Sequence, residues 1–176
     1  GMGLCSSRSG VVDVKRKFSI IESKSTGQIL CDSLSLAIVG NGEPPIENGE
    51  QMYQYLFSIH PRLQAHFIGA DEFMGQESKQ STKFAKQGQR LLMAIQMFCQ
   101  DFDNKDAFDQ HVKDLMIRHR ERKVEPEMWG EFFTIFANFL KTKGEVSSIE
   151  EDAWRQLGER FNSVAQDALK SLDLPY

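Results

Sequence analysis

Leu115-Met116-Ile117-Arg118-His119, followed by Val124 and Pro126, is the stretch on which the fold turns. Val112, Leu115, Met116 and His119 recur at three- and four-residue steps, the spacing that gathers side chains on one face of an α-helix. One imidazole therefore sits on an otherwise apolar stripe. Proline is tolerated in the first turn of a helix but not in its interior, so a helix over 106–123 should stop there and the next should open at Pro126. A neutral imidazole has a lone pair on one ring nitrogen, which makes His119 a candidate metal ligand.

Working upstream, a long helix is expected over 76–100, with Phe84, Gln87, Gly88, Leu91, Ile95 and Phe98 along one side. Before it lies His60-Pro61-Arg62-Leu63-Gln64-Ala65-His66-Phe67, where Pro61 suits the first turn of a short new helical segment and Phe67 opens a loop. Ahead of Pro61, a helix starting near Glu47 carries Met52, Tyr53, Leu56 and Phe57. Gly40-Asn41-Gly42-Glu43-Pro44-Pro45 separates it from an earlier helix, capped by Ser25 or Thr26, whose Ile29, Leu30, Leu34 and Ile38 share a face.

Downstream, Pro126 to Lys141 presents Trp129, Phe132, Phe133, Phe136 and Leu140 as an aromatic face. Ser147-Ser148-Ile149-Glu150-Glu151 opens the last helix, with stripe residues Trp154, Leu157, Phe161, Val164, Ala168 and Leu172. No segment alternates with period two and no Asn-Gly turn joins β-branched runs, so the expected fold is all-α with seven to eight unequal helices. That pattern suits neither a simple four-helix bundle nor a solenoid.

Composition narrows the function. At 176 residues with 40% apolar and 10% aromatic content, 13 of them Phe, the chain can bury one sizeable core. Lys plus Arg is 21 against 25 Asp plus Glu, a net charge of -4, so no global attraction to nucleic acid is expected. The basic run Arg118-His119-Arg120-x-Arg122-Lys123 suits the negative end of a helix better than an RNA site. Cys5, Cys31 and Cys99 are odd in number and lack metal-ligand spacing, which argues for a reducing compartment and against disulfides or thiolate zinc. His60, His66 and His111 match neither H-E-x-x-H nor a zinc finger. Asp101-x-Asp103 has Lys105 where a calcium loop needs a ligand. No P-loop, GxGxxG or nucleophile elbow occurs.

The amino terminus carries its own signal. Gly1 ahead of Met2 reads as a residue left by removal of an expression tag. Met2-Gly3-Leu4-Cys5-Ser6-Ser7 fits the M-G-x-x-x-[ST] pattern for N-myristoylation at Gly3, and Cys5 is placed to take a palmitoyl chain. One myristoyl chain binds membranes only marginally, roughly 10⁴ M⁻¹, and a second makes anchoring stable. Arg8, Lys15, Arg16 and Lys17 would favour an anionic leaflet. Residues 1–25 are therefore expected to form a flexible arm with an acylation motif at the cytoplasmic face of a membrane, and residues 26–176 the folded domain.

Taken in order, these elements resemble the globin family over most of the chain. Pro61 and Phe67 stand where globins carry a Pro and, six positions later, a Phe lying flat on the haem. Leu56-Phe57 matches a family Leu-Phe pair, and Gly49 faces Gly88 in the packing the resemblance implies. Leu115-x3-His119, then Val124 and Pro126, matches the proximal pattern. The resemblance implies haem b bound through His119, with Tyr53, Phe67, Gln87, Leu91, Leu115 and Val124 around it. Two departures stand out: Gln87 replaces the usual distal histidine, and Leu34 occupies a place often held by tryptophan.

A Tyr53 and Gln87 pair is similar to nematode globins with tight O2 binding, since both side chains donate hydrogen bonds to bound dioxygen. Reversible binding of O2, with CO and NO as further diatomic ligands, is the expected activity, serving local storage, sensing or redox signalling at the membrane. A homodimer is compatible with this reading. Rival expectations are a haem-dependent NO dioxygenase or nitrite reductase, an electron-transfer globin, and a haem-free globin-fold interaction module.

Overall fold

The computed structural model describes residues 23–38, 46–66, 82–119 and 126–172. Six α-helices and one 3₁₀ segment make up their regular structure: α1 Thr26–Leu34, α2 Ile46–Ile59, the 3₁₀ segment Pro61–His66, α3 Thr82–Asp101, α4 Lys105–His119, α5 Pro126–Lys141 and α6 Ser148–Ser171. Of the expected seven to eight helices, the described residues contain these six and the short turn opened by Pro61.

Local chemistry sets the ends. Ser25 caps α1, its hydroxyl accepting from the Gln28 amide while the Gln28 side chain returns to the Ser25 N–H. Ser147 and Glu150 make the same reciprocal pair at α6, and each satisfies two otherwise orphaned helix donors. The helix predicted to run through Ile38 stops at Leu34. Ser35 to Ala37 continue as turns, and the Ile38 amide donates to Leu34 O, which keeps Ile38 in the core at 3% exposure. On α6 the stripe holds as far as Ala168, but the helix ends at Ser171 and Leu172 faces outward at 44% exposure. Leu169, not Leu172, completes the buried face.

Helices α2 and α3 pack extensively, as do α5 and α6. Helix α1 lies against α3 and α6, while α4 packs on α6 and α3. The α2–α3 crossing is made by Gly49 and Gly88. A Cβ built on Gly88 would lie 2.4 Å from the Gly49 carbonyl carbon, and one on Gly49 would lie 2.3 Å from that of Gly88. Only backbones without Cβ atoms can approach so closely. At the other side, the Trp154 Nε1–H donates to Ser33 Oγ at 2.9 Å with both residues fully buried, tying α6 to α1. Between these two anchor points Phe57, Leu92, Phe108, Phe136, Trp154 and Phe161 fill the core. No helix among the described residues is long and apolar enough to cross a membrane.

Candidate functional site

Six helices and the 3₁₀ segment leave a cavity of about 520 Å³ between α2, α3, α4, α5 and α6. That volume falls within the roughly 300–1,000 Å³ typical of cofactor and small-molecule sites. One wall is Tyr53 and Leu56 of α2, Leu63 of the 3₁₀ segment and Gln87 and Leu91 of α3. Leu115 and His119 of α4 line the cavity with Met128, Trp129 and Phe132 of α5. Two cations, Arg90 and Arg118, also line it.

His119 occupies the last residue of α4, where that helix still supplies carbonyl acceptors. Its Nδ1 lies 3.0 Å from Leu115 O, one turn back. A carbonyl oxygen only accepts, so Nδ1 carries the proton and Nε2 is the nitrogen with the lone pair. The Trp129 ring meets the imidazole edge-on, with centroids 5.8 Å apart and planes at 83°. Backbone hydrogen bond and indole together restrict rotation of the ring about its own bonds.

In the same lining, Tyr53 is 6% exposed and stacks on Phe57 with centroids 5.6 Å apart. Gln87 is half-buried, and its Oε1 is buried without a hydrogen-bond partner. An unpaired buried amide oxygen costs free energy. Rotation by 180° exchanges O for N–H2, so this amide can aim a donor at a group in the cavity.

The structure brings five of the sequence-predicted residues to one cavity: Tyr53, Gln87, Leu91, Leu115 and His119. Phe67 and Val124 lie outside the described residues, as do Gly3 and Cys5. Of the basic run, Arg118 reaches the cavity rim, its Nε donating to Asp114 O at 3.4 Å; Arg120, Arg122 and Lys123 lie outside the described residues. The sequence reading missed Arg90, although it stands three residues after Gln87 and so shares its helix face. Trp129 and Phe132, expected on an aromatic helix face, and Phe161, expected on the stripe of the last helix, all line the cavity.

These residues fit an iron porphyrin on chemical grounds. A flat apolar macrocycle suits the aromatic and leucine walls, and a fixed imidazole nitrogen suits its iron. The arginines suit its carboxylates. The unsatisfied Gln87 oxygen marks a polar spot in the lining that protein atoms leave unpaired.

Helices crossing at close glycines around one cavity, lined by a backbone-tethered histidine and by polar side chains, define an all-α protein of the globin-like fold. The chain belongs to the globin family, whose profile matches residues 50–165. It is 39% identical over 150 residues to a globin-like protein of Caenorhabditis briggsae, covering 85% of this chain and 94% of that one. A myoglobin of Ascaris suum is 34% identical over 146 residues, covering 82% and 95%. The solved structure of a globin-like protein of Caenorhabditis elegans superimposes with a TM-score of 0.78 at 34% identity, covering 86% of this chain and 96% of that one.

Proposed function

We propose that this globin holds haem b through His119 Nε2 and binds O2 reversibly on the Tyr53 and Gln87 side. The observation that carries the reading is the presence in one cavity lining of an imidazole with its Nδ1 proton committed to Leu115 O and of the Gln87 side chain, whose buried Oε1 has no protein partner. When bound, the haem supplies an iron able to coordinate diatomic ligands. The chain's own part is to present the lone pair, exclude water and donate hydrogen bonds. Phe67 and Val124 complete the haem contacts in this reading. Related nematode proteins named myoglobin support the oxygen-binding assignment.

Absorption spectra of the oxidised, reduced and CO-bound protein test the haem assignment. Bands of an imidazole-ligated ferrous CO complex, lost in His119→Ala, are the expected result, and a protein that stays colourless after haem addition overturns it. Tyr53→Phe removes one hydrogen bond to a charge-bearing ligand, worth about 1.5–3 kcal/mol, so O2 should leave roughly 10- to 150-fold faster. Unchanged release would remove Tyr53 from the site.

We also propose that Gly3 and Cys5 carry acyl chains that tether the domain to a membrane, where it serves local oxygen storage, sensing or redox signalling. The motif at Met2 to Ser7 supports this, and two chains are what stable anchoring needs. Vesicle flotation of the chain expressed from Met2 should show binding that Cys5→Ser weakens and Gly3→Ala abolishes.

A further inference from the structure

Five large apolar side chains are exposed among the described residues, and two of them flank the cavity mouth: Met93 on α3 at 45% and Ile117 on α4 at 42%. On α3, the exposed Lys86, Arg90 and Met93 follow one another at steps of four and three residues, so they form one outer stripe. Lys113, Ile117 and the adjacent Arg118 do the same on α4. The two helices pack on each other, and Arg90 and Arg118 both line the cavity, so the stripes meet at its mouth. Elsewhere Lys24, Lys141, Arg155 and Arg160 each face a carboxylate. Among the described residues Lys86, Arg90, Lys113 and Arg118 face none, and Asp114, which accepts from the Gln110 amide, is the one carboxylate between Lys113 and Arg118. A chain of net charge -4 thus presents a positive face with apolar tips beside its cavity. That mixture suits an anionic lipid surface, where cations meet headgroups and apolar tips enter the acyl boundary. A second copy fits worse, because it brings the same four cations against these.

We propose that the α3–α4 face carrying Lys86, Met93, Lys113 and Ile117 docks on an anionic lipid bilayer and turns the cavity mouth toward it. The inference deepens the tether reading above, which supplies the bilayer. The chain between Ser7 and Ser23 can span up to about 50 Å, enough for the domain to bring this face to the leaflet. Acyl chains hold the face close to the lipid, so a modest surface affinity suffices to orient it. Arg90 and Arg118 are shared with the haem carboxylates, whereas Lys86 and Lys113 stay free for lipid phosphates and carboxylates. Facing the bilayer, the mouth meets O2 dissolved in hydrocarbon, in which this apolar gas is more soluble than in water.

The test uses the haem-loaded chain with Cys5 coupled to a maleimide lipid in a Cys31→Ser background, so that a tether is present whether or not a cell acylates the chain. Held on phosphatidylcholine vesicles with or without phosphatidylserine, it receives a short pulse of hydroxyl radicals, and mass spectrometry reads the oxygen added at each residue. With phosphatidylserine the labelling of Met93 and Ile117 is expected to fall severalfold and to recover in high salt. Ile149, 48% exposed on α6 and outside the cavity lining, should label as before. At about 1 kcal/mol per cation, Lys86→Ala combined with Lys113→Ala should weaken docking roughly 30-fold and restore the labelling. Labelling of Met93 that is equal on both vesicles, or that falls together with Ile149, overturns the proposal. Protection that needs no vesicle and grows with protein concentration also overturns it and gives the face to a second copy. If flotation of the chain expressed from Met2 fails while the maleimide-tethered chain is protected, the acylation reading falls and this one stands.

Discussion

His119 can offer Nε2 to a metal only if the proton sits on Nδ1, and the Leu115 carbonyl imposes that tautomer. Removing the side chain while keeping the space is the sharper test of its role than removing the function. His119→Gly should lose the imidazole-type spectrum and regain it when free imidazole is added, because the void left by the ring admits it. Failure of imidazole to restore the bands would assign the loss to misfolding. Glu50 poses a different question at the same scale. It is 8% exposed, its Oε1 lacks a partner, and burial, with Glu47 adding repulsion, pushes its carboxyl above the usual range. The folded state then holds this proton more tightly than the unfolded chain. Its stabilising contribution is complete below the unfolded carboxyl value, about 4.3, and is lost as pH rises through the folded value. Glu50→Gln should therefore raise the urea midpoint at neutral pH and leave it nearly unchanged in acid; equal midpoints throughout would show the carboxyl to be solvated.

At the scale of elements, periodicity and end signals were readable because they depend on neighbours in sequence. Ser25 and Ser147 cap their helices as the sequence suggests, and Pro61 and Pro126 open new segments. The Gly49–Gly88 crossing was legible only through the globin resemblance, since nothing within either helix says which other helix it meets. For the same reason the stripes carrying Trp129 and Phe161 did not disclose the cavity those residues line: a stripe reveals that a face is covered, not what covers it. Leu172 was misplaced because a helical stripe does not announce where the helix ends. The crossing is the most constrained of these features. Gly88→Ala would place a Cβ 2.4 Å from the backbone of α2, where no flexible side chain can yield. A cost at the upper end of the usual overpacking range, about 3 kcal/mol or more, is expected in chemical denaturation. Because α2 carries Tyr53 and α3 carries Gln87, the same change should widen the cavity and speed O2 release. A variant as stable as the parent would show that the helices can slide apart freely.

On the scale of the whole molecule, the cavity of about 520 Å³ touches every helix from α2 to α6. Its lining is mostly apolar side chains that forgo dispersion contacts unless something occupies the space. Whatever fills it joins the Tyr53 wall to the His119 wall, so binding there should act on global unfolding and not on one helix. Haem at a hundredfold excess over its Kd would stabilise the fold by about 2.7 kcal/mol. For a domain of this size that is a rise in Tm of roughly 5–10 °C. Cys99 on α3 gives an internal reporter. It is fully buried, and burial, with Cys31 adding to it, pushes the thiol well above its ordinary value, so in the folded state it stays neutral and shielded. Alkylation of Cys99 then needs opening of the core, whereas half-buried Cys31 is reachable by smaller motions. Haem loading should slow Cys99 alkylation far more than that of Cys31, in step with the gain in Tm. If both thiols slow equally, or if Tm rises while Cys99 reacts as before, the haem stabilises only the helices at the cavity edge and the core opens without releasing it.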